Sequence, residues 1–151
     1  MAIVYMMIGI PGSGKSTYAL SLSKEKDIPI ISSDKVRDMH PDWDEIKIFP
    51  EVYRLCGKYL KEEKDIIFDA TNITPNVRAR FVENVKKYVS DFKMHAIVMI
   101  ADVNTCVRRV KKRNEDKNER FLPPHVVYVY NEKLIMPDES EGFIDIKIIN
   151  N

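Results

Sequence analysis

The sequence is short of the features that mark several protein classes. Among its 151 residues there are two cysteines, Cys56 and Cys106. They lie far apart without metal-ligand spacing, which excludes a disulfide framework and a cysteine-based metal site. Charge of one sign is not in excess: 24 basic residues stand against 23 acidic ones, a net +1. No overall basic field advertises a polyanion, although a local patch or a ligand with a few phosphates stays compatible with that balance. No apolar run approaches a membrane span, and no basic n-region or cleavage site precedes the first apolar stretch. A cytoplasmic chain with no membrane partner is the expectation. Internal repeats and low-complexity segments are absent. His40, His95 and His125 are scattered and carry no assigned chemistry. The single tryptophan, Trp43, and Tyr53 are expected to pack, with stacking on a base as the alternative.

Glycine is scarce too, five in all, and three fall in one stretch: Gly9-Ile10-Pro11-Gly12-Ser13-Gly14-Lys15-Ser16-Thr17. The stretch matches the phosphate-binding pattern G-x-x-x-x-G-K-[ST] at every fixed position. It follows an apolar run of strand length, Ile3 to Ile8, and precedes a segment free of Gly and Pro that reads as helix. Gly9, Gly12 and Gly14 are expected to take φ > 0 and to let the backbone approach a ligand closely. The N–H groups of Gly12, Ser13, Gly14, Lys15, Ser16 and Thr17 then converge with the new helix's positive end on an anion. In this pattern Lys15 reaches β- and γ-phosphates and the Ser16 hydroxyl ligates Mg²⁺. Thr17 is expected to help hold the first helical turn.

The length suits one domain, residues 1–151. Strand and helix patterns alternate throughout, which predicts an α/β fold with a parallel sheet and helices on both faces. The predicted strands are Ile3–Ile8, Ile28–Ser32 (an edge, because of Pro29), Asp65–Phe68, Met94–Ala101 and Phe143–Ile149, also an edge. Between them, helices are expected over Lys15–Lys24, Glu51–Glu63 (opened by Pro50), Pro75–Tyr88, Asn104–Arg113 and His125–Leu134. Met39–Phe49 reads as a loop, with a short helix within it as the alternative.

Three constellations lie beyond the glycine stretch. Asp34 and Arg37 form Asp-x-x-Arg just past the second strand, at the end of the sheet where open α/β folds bind ligands. Phosphoryl transfer needs a carboxylate to take the proton of the attacking hydroxyl, and gains from a forked cation on a substrate phosphate. The plain alternative makes Asp34 a helix N-cap and Arg37 a solvated residue. Asp69-Ala70-Thr71-Asn72 closes the third strand: Asp69 is a candidate Mg²⁺ partner, and Thr71 and Asn72 either bind substrate or shape the turn. Arg78, one turn into the next helix, is placed to lean over the same cleft. The third constellation is Arg109, Arg113, Lys117 and Arg120. It is either a solvated basic face or a lid at about 113–122 whose cations close on donor phosphates. Arg113 is the first choice for that role, with Lys117 or Arg120 the second.

Taken in order, the glycine loop, Asp34-x-x-Arg37, Asp69-Ala70-Thr71-Asn72 with Arg78, and Arg113-Asn114 before Pro123 resemble the 5′-hydroxyl polynucleotide kinase domain of phage-type end-healing enzymes. The likeness runs from about Ile3 to Leu134. It implies a P-loop NTPase fold with strand order 2-3-1-4-5. It also implies transfer of the γ-phosphate of ATP, with Mg²⁺, to a 5′-OH end of RNA or DNA. In such enzymes the residue matching Asp34 is the general base. The residue matching Arg37 grips the 3′-phosphate of the terminal nucleotide. Lys15, Arg113 and a second lid cation near Lys117 hold the donor. Ser33 stands where some relatives carry a basic residue, and phosphatase or ligase steps would fall to a separate protein. The alternatives are a small-molecule or nucleoside kinase on the same scaffold, and a nucleotide-dependent switch without acceptor chemistry.

Overall fold

The computed structural model describes residues 1–151. Five parallel strands, β1 (Ile3–Ile8), β2 (Ile30–Ser32), β3 (Ile66–Asp69), β4 (Lys93–Ile100) and β5 (Phe143–Asn150), form one sheet in the order β2-β3-β1-β4-β5. That is the expected order, with β2 and β5 at the edges. The helices are α1 (Lys15–Lys26), α2 (Ser33–Met39), α3 (Ile48–Lys61), α4 (Pro75–Val85), α5 (Val103–Asn114) and α6 (His125–Lys133).

Side chains alternate across the sheet with the period of two that a strand imposes. Val4, Met6 and Ile8 of β1, Ile66 and Phe68 of β3, and Ala96 and Val98 of β4 face the larger core, which α3 and α4 cover through Val52, Cys56, Leu60, Phe81 and Val85. Met7, Ile67, Ile97 and Met99 face the other way, onto Ala19 and Leu22 of α1. A third cluster joins Cys106, Val107 and Val110 of α5 and Val127 of α6 to Ile10 and Ile73, which lie just beyond β1 and β3. The phosphate loop and the β3 exit are therefore packed from behind by the last two helices.

Boundaries moved where local chemistry allowed it. Helix α3 begins at Ile48, ahead of Pro50. A first-turn N–H has no intrahelical acceptor, so proline there loses nothing, and the earlier start buries Ile48 completely. Within the expected loop, Glu45–Lys47 forms a 3-10 turn. Strand β5 carries one extra residue, Ile144, at the Met94/His95 step of its pairing with β4.

Arg78 is the largest fully buried side chain, 1% exposed. Its guanidinium donates to Glu141 at 2.7 and 3.2 Å and to the Asn72 carbonyl at 2.8 Å. The fork ties α4 and the β3 exit to the 3-10 turn Glu139–Glu141 that leads into β5. Glu141→Ala is expected to cost about 3 kcal/mol in chemical denaturation, because it strands a buried guanidinium. Arg78→Met combined with Glu141→Ala should cost clearly less than the sum of the two single changes.

Candidate active site

The carboxyl ends of β1, β2 and β3 meet in one row: Met7 pairs with Asp69, and Asp69 with Ser32. From that row the chain leaves into the phosphate loop, into α2 and into Ala70–Thr74. Gly12 and Gly14 take φ of 83° and 96°, as the loop requires. Gly9 does not adopt positive φ. Its constraint is space, since a Cβ there would lie 2.7 Å from Ser13 Oγ and 2.9 Å from the Met99 carbonyl. The Gly9 N–H donates to the Thr71 carbonyl at 3.0 Å, so Thr71 braces the loop through its backbone. Ser13 is wholly buried, and its Oγ has no protein partner. Thr17 is exposed and makes no side-chain hydrogen bond; Gly14 stands at the N-cap of α1.

Lys15 is buried and donates from Nζ to the Ile10 carbonyl at 3.0 Å, lying back along the loop. Ser16 Oγ donates to Asp69 Oδ2 at 2.9 Å. A hydroxyl beside a carboxylate is a hard-oxygen pair of the kind Mg²⁺ takes together with phosphate oxygens and water. Nowhere do three or more His, Cys, Asp or Glu side chains gather to hold a metal ion. An ion at Ser16 and Asp69 would therefore need the nucleotide's own oxygens. Burial raises the Asp69 pKa, opposed by the Lys15 charge and the Ser16 hydrogen bond.

Ser32, not Asp34, caps α2, accepting from the Lys35 N–H at 3.4 Å. Asp34 is left with a side chain 64% exposed, and its charge acts on both Lys15 and Asp69. Arg37 donates from Nη1 to Asp34 at 2.7 Å and grips Glu45 through Nε and Nη2. Asn72 sits at φ 49° and donates from Nδ2 to the Met7 and Ala70 carbonyls at 2.8 and 3.3 Å, joining the β1 and β3 exits. Its Oδ1 is buried and unpartnered. Arg78 lies behind this wall, engaged with Glu141 and the Asn72 carbonyl, rather than over the opening.

The basic end of α5 divides into separate tasks. Arg113 forms no ion pair, and its charge disfavours a charged Lys15. Arg109 donates to the Gly12 carbonyl at 3.0 Å. Asn114 clasps Leu122 through both backbone groups, at 2.7 and 3.0 Å, closing residues 115–121 into a short loop. From that loop Arg120 reaches Asp38 at 2.9 Å and Asp34 at 3.6 Å, whereas Lys117 is exposed and forms no ion pair. Two participants had no role from the sequence, Glu45 and Asn151, while Arg109 of the expected basic cluster contacts the loop through the Gly12 carbonyl. Asn151 donates from Nδ2 to the Ser13 carbonyl at 3.0 Å, and its own N–H continues β5 onto the Ile100 carbonyl at 2.7 Å. Nothing local flags Asn151, which lies 138 positions from its partner.

A family model described as AAA domain matches residues 4–133. The chain belongs to that family. Among relatives, the AAA domain is 26% identical to an adenylate kinase of Streptomyces lividans over 156 residues, covering 93% of this chain and 74% of that protein. It is 25% identical over 153 residues to an Arabidopsis thaliana protein named transcription factor bHLH140, covering 93% of this chain and 15% of that one. The chain thus spans a small part of the Arabidopsis relative. Among solved structures, a candidate kinase from Chloroflexus aurantiacus superposes with a TM-score of 0.79 at 16% identity, covering 99% of this chain and 84% of that one. Kti12 from Chaetomium thermophilum, in complex with ADP-AlF3, gives 0.74 at 14% identity over 98% and 88%. A chain of a Pnkp1/Rnl/Hen1 complex gives 0.62 at 26% identity over 72% and 38%. The AAA domain has a P-loop kinase fold.

Electrostatics in this AAA domain centre on Lys15. Burial lowers its pKa from 10.5 to about 8, with Asp69 pulling the other way and Arg113 adding to the fall. Above that pH the free protein holds a largely neutral lysine, and a bound polyphosphate anion raises the pKa again. Nucleotide binding near pH 8.5 to 9 is therefore expected to take up a fraction of a proton, about half or more. At pH 6.5 the Lys15 contribution should vanish. Calorimetry in buffers of differing ionisation enthalpy measures this uptake, and Lys15→Arg should abolish the alkaline component.

Proposed function

We propose that this AAA domain is an ATP- and Mg²⁺-dependent kinase that phosphorylates the 5′-hydroxyl end of RNA or DNA. Asp34 accepts the proton of the acceptor hydroxyl. The acceptor oxygen forms its bond to the γ-phosphorus as the bond to the bridging oxygen of ADP breaks. Lys15 and Arg113 hold the γ-phosphoryl charge through this exchange, and the loop amides of residues 12–17 bind the donor. Ser16 and Asp69 would hold Mg²⁺, which when bound neutralises donor charge. Arg37 takes a phosphate on the acceptor, and Thr71 and Asn72 shape the acceptor wall. Arg78 supports that wall from behind as a positioning residue. Residues 113–122 act as the lid, with Lys117 or Arg120 as its second cation.

One observation carries this reading. An uncapped, exposed carboxylate, Asp34, stands between two guanidiniums, Arg37 and Arg120, and acts electrostatically on Lys15 and Asp69. A guanidinium held against the proton acceptor, as Arg37 is, suits an acceptor that carries its own phosphate next to the reacting hydroxyl, while Arg120 reaches the same carboxylate from the lid. A neutral sugar has no use for the Arg37 fork. The ordered motifs that resemble end-healing kinases and the likeness to the Pnkp1/Rnl/Hen1 chain support the same reading.

Transfer of labelled γ-phosphate to 5′-OH oligonucleotides is the direct test. Asp34→Asn should cut turnover about 10²- to 10⁴-fold while nucleotide affinity stays within a few-fold of wild type. Arg37→Ala should chiefly raise the acceptor KM. Transfer to metabolites but to no oligonucleotide would overturn the assignment. Nucleotide binding with no transfer to any acceptor, and little change on substituting Asp34, would point to a nucleotide-dependent switch; undiminished transfer in Asp34→Asn would remove Asp34 from the base role. The second reading, a small-molecule kinase, draws on the near-neutral net charge and the adenylate kinase relative. Salt separates them: affinity for a polynucleotide acceptor falls steeply as salt rises, and affinity for a small neutral acceptor does not.

A further inference from the structure

Strand β5 ends the sheet with a long free edge. It runs eight residues, Phe143–Asn150, without proline. The opposite edge, β2, is three residues long and preceded by Pro29. The Asn151 N–H points to β4, bonding Ile100. In a parallel ladder alternate residues direct both backbone groups to the same neighbour. Asp145, Lys147 and Ile149 therefore turn inward to β4, and Ile146 and Ile148 direct their N–H and C=O groups outward, joined by the C=O of the bulged Ile144. The side chains of Ile144 and Ile148 are 62% and 51% exposed. Asp145 and Lys147 lie next to this edge, and neither forms an ion pair within the chain.

We propose that β5 pairs antiparallel with β5 of a second copy of this chain, about a two-fold axis at Ile146, to give a dimer with one continuous sheet. The sequence Ile144-Asp145-Ile146-Lys147-Ile148 is self-complementary about that point. Ile146 opposes itself and Ile144 opposes Ile148, with their outward peptide groups forming the ladder. Asp145 opposes Lys147 twice by symmetry. Those two pairs occupy positions without ladder hydrogen bonds, where opposing side chains come closest. Charge selects the register: an axis at Asp145 or Lys147 would set that charge opposite its own copy. The Lys147 ammonium lies 5.9 Å from the Tyr18 ring, a weak exposed contact that it can exchange for a carboxylate. An isologous edge of this kind closes on itself, and the short, proline-headed β2 edge offers no route to longer assemblies.

Sedimentation of the full chain from nanomolar to high micromolar concentration tests the proposal. The wild type should reach a discrete dimer. Lys147→Asp and Asp145→Lys each place like charges opposite one another twice, and should raise the dimer Kd about tenfold or more. The exchanged double variant, D145K with K147D, should dimerise like wild type, with nucleotide affinity unchanged in all three and melting temperature unchanged at concentrations where wild type is monomeric. A wild type that stays monomeric, single variants that dimerise normally, or a double variant that fails to recover would each overturn it. Amide exchange of the wild type gives a reading free of mutation. The Ile146 and Ile148 amides should exchange more slowly as concentration rises, and exchange independent of concentration would also overturn it.

Discussion

The site depends on one constraint: the phosphate loop is gripped on several sides by atoms that leave no room for a side chain. A Cβ at Gly12 would meet the Cys106 carbonyl at 2.5 Å, and one at Gly9 the Met99 carbonyl at 2.9 Å. The Asn151 side chain closes the third side, against Gly14. These contacts come from α5, β4 and the end of β5, so the loop takes its shape from most of the fold. On the proposed reading, a loop held so tightly needs no reordering to present its amides to a ligand. Binding then spends little energy on ordering, which is the usual advantage of a preorganised anion site.

A second consequence is that the charged groups are partnered with one another in the free protein. Lys15 lies back on Ile10, Ser16 holds Asp69, and Asp34 is flanked by Arg37 and Arg120. Each pair brings together groups that, on the proposed reading, separate to serve different parts of one reaction. Lys15 would leave a carbonyl for phosphate oxygens. Arg120 would leave two exposed carboxylates, where pairing is weak and easily given up. The buried Arg78–Glu141 fork belongs to the opposite class: it is sealed and holds the wall rather than the reactants.

Much of this was legible in the chain because the relevant signals are local. The strand-loop-helix pattern around Gly9–Thr17 was read from adjacent residues, and the alternating apolar runs yielded all five strands to within a few positions. The topology came from resemblance, since no pattern in a single sequence says which strands are neighbours. What escaped was contact at a distance. Glu45 looks like any loop acid until Arg37 is seen to fork onto it. Arg78 sits at the spacing of a cleft residue, but its buried partner, Glu141, lies 63 positions away. Gly9 fits the pattern for positive φ and instead answers to crowding, which only the packed neighbours reveal.

The anchoring of Arg37 has an evolutionary side. Its bidentate partner, Glu45, belongs to a 3-10 turn outside the sheet, in a segment that contributes nothing to the phosphate loop. On the proposed reading, altered length or charge in residues 40–47 would re-aim one guanidinium while the donor side stays fixed. A change confined to this one peripheral turn would then alter which acceptor is held, without rebuilding the donor site.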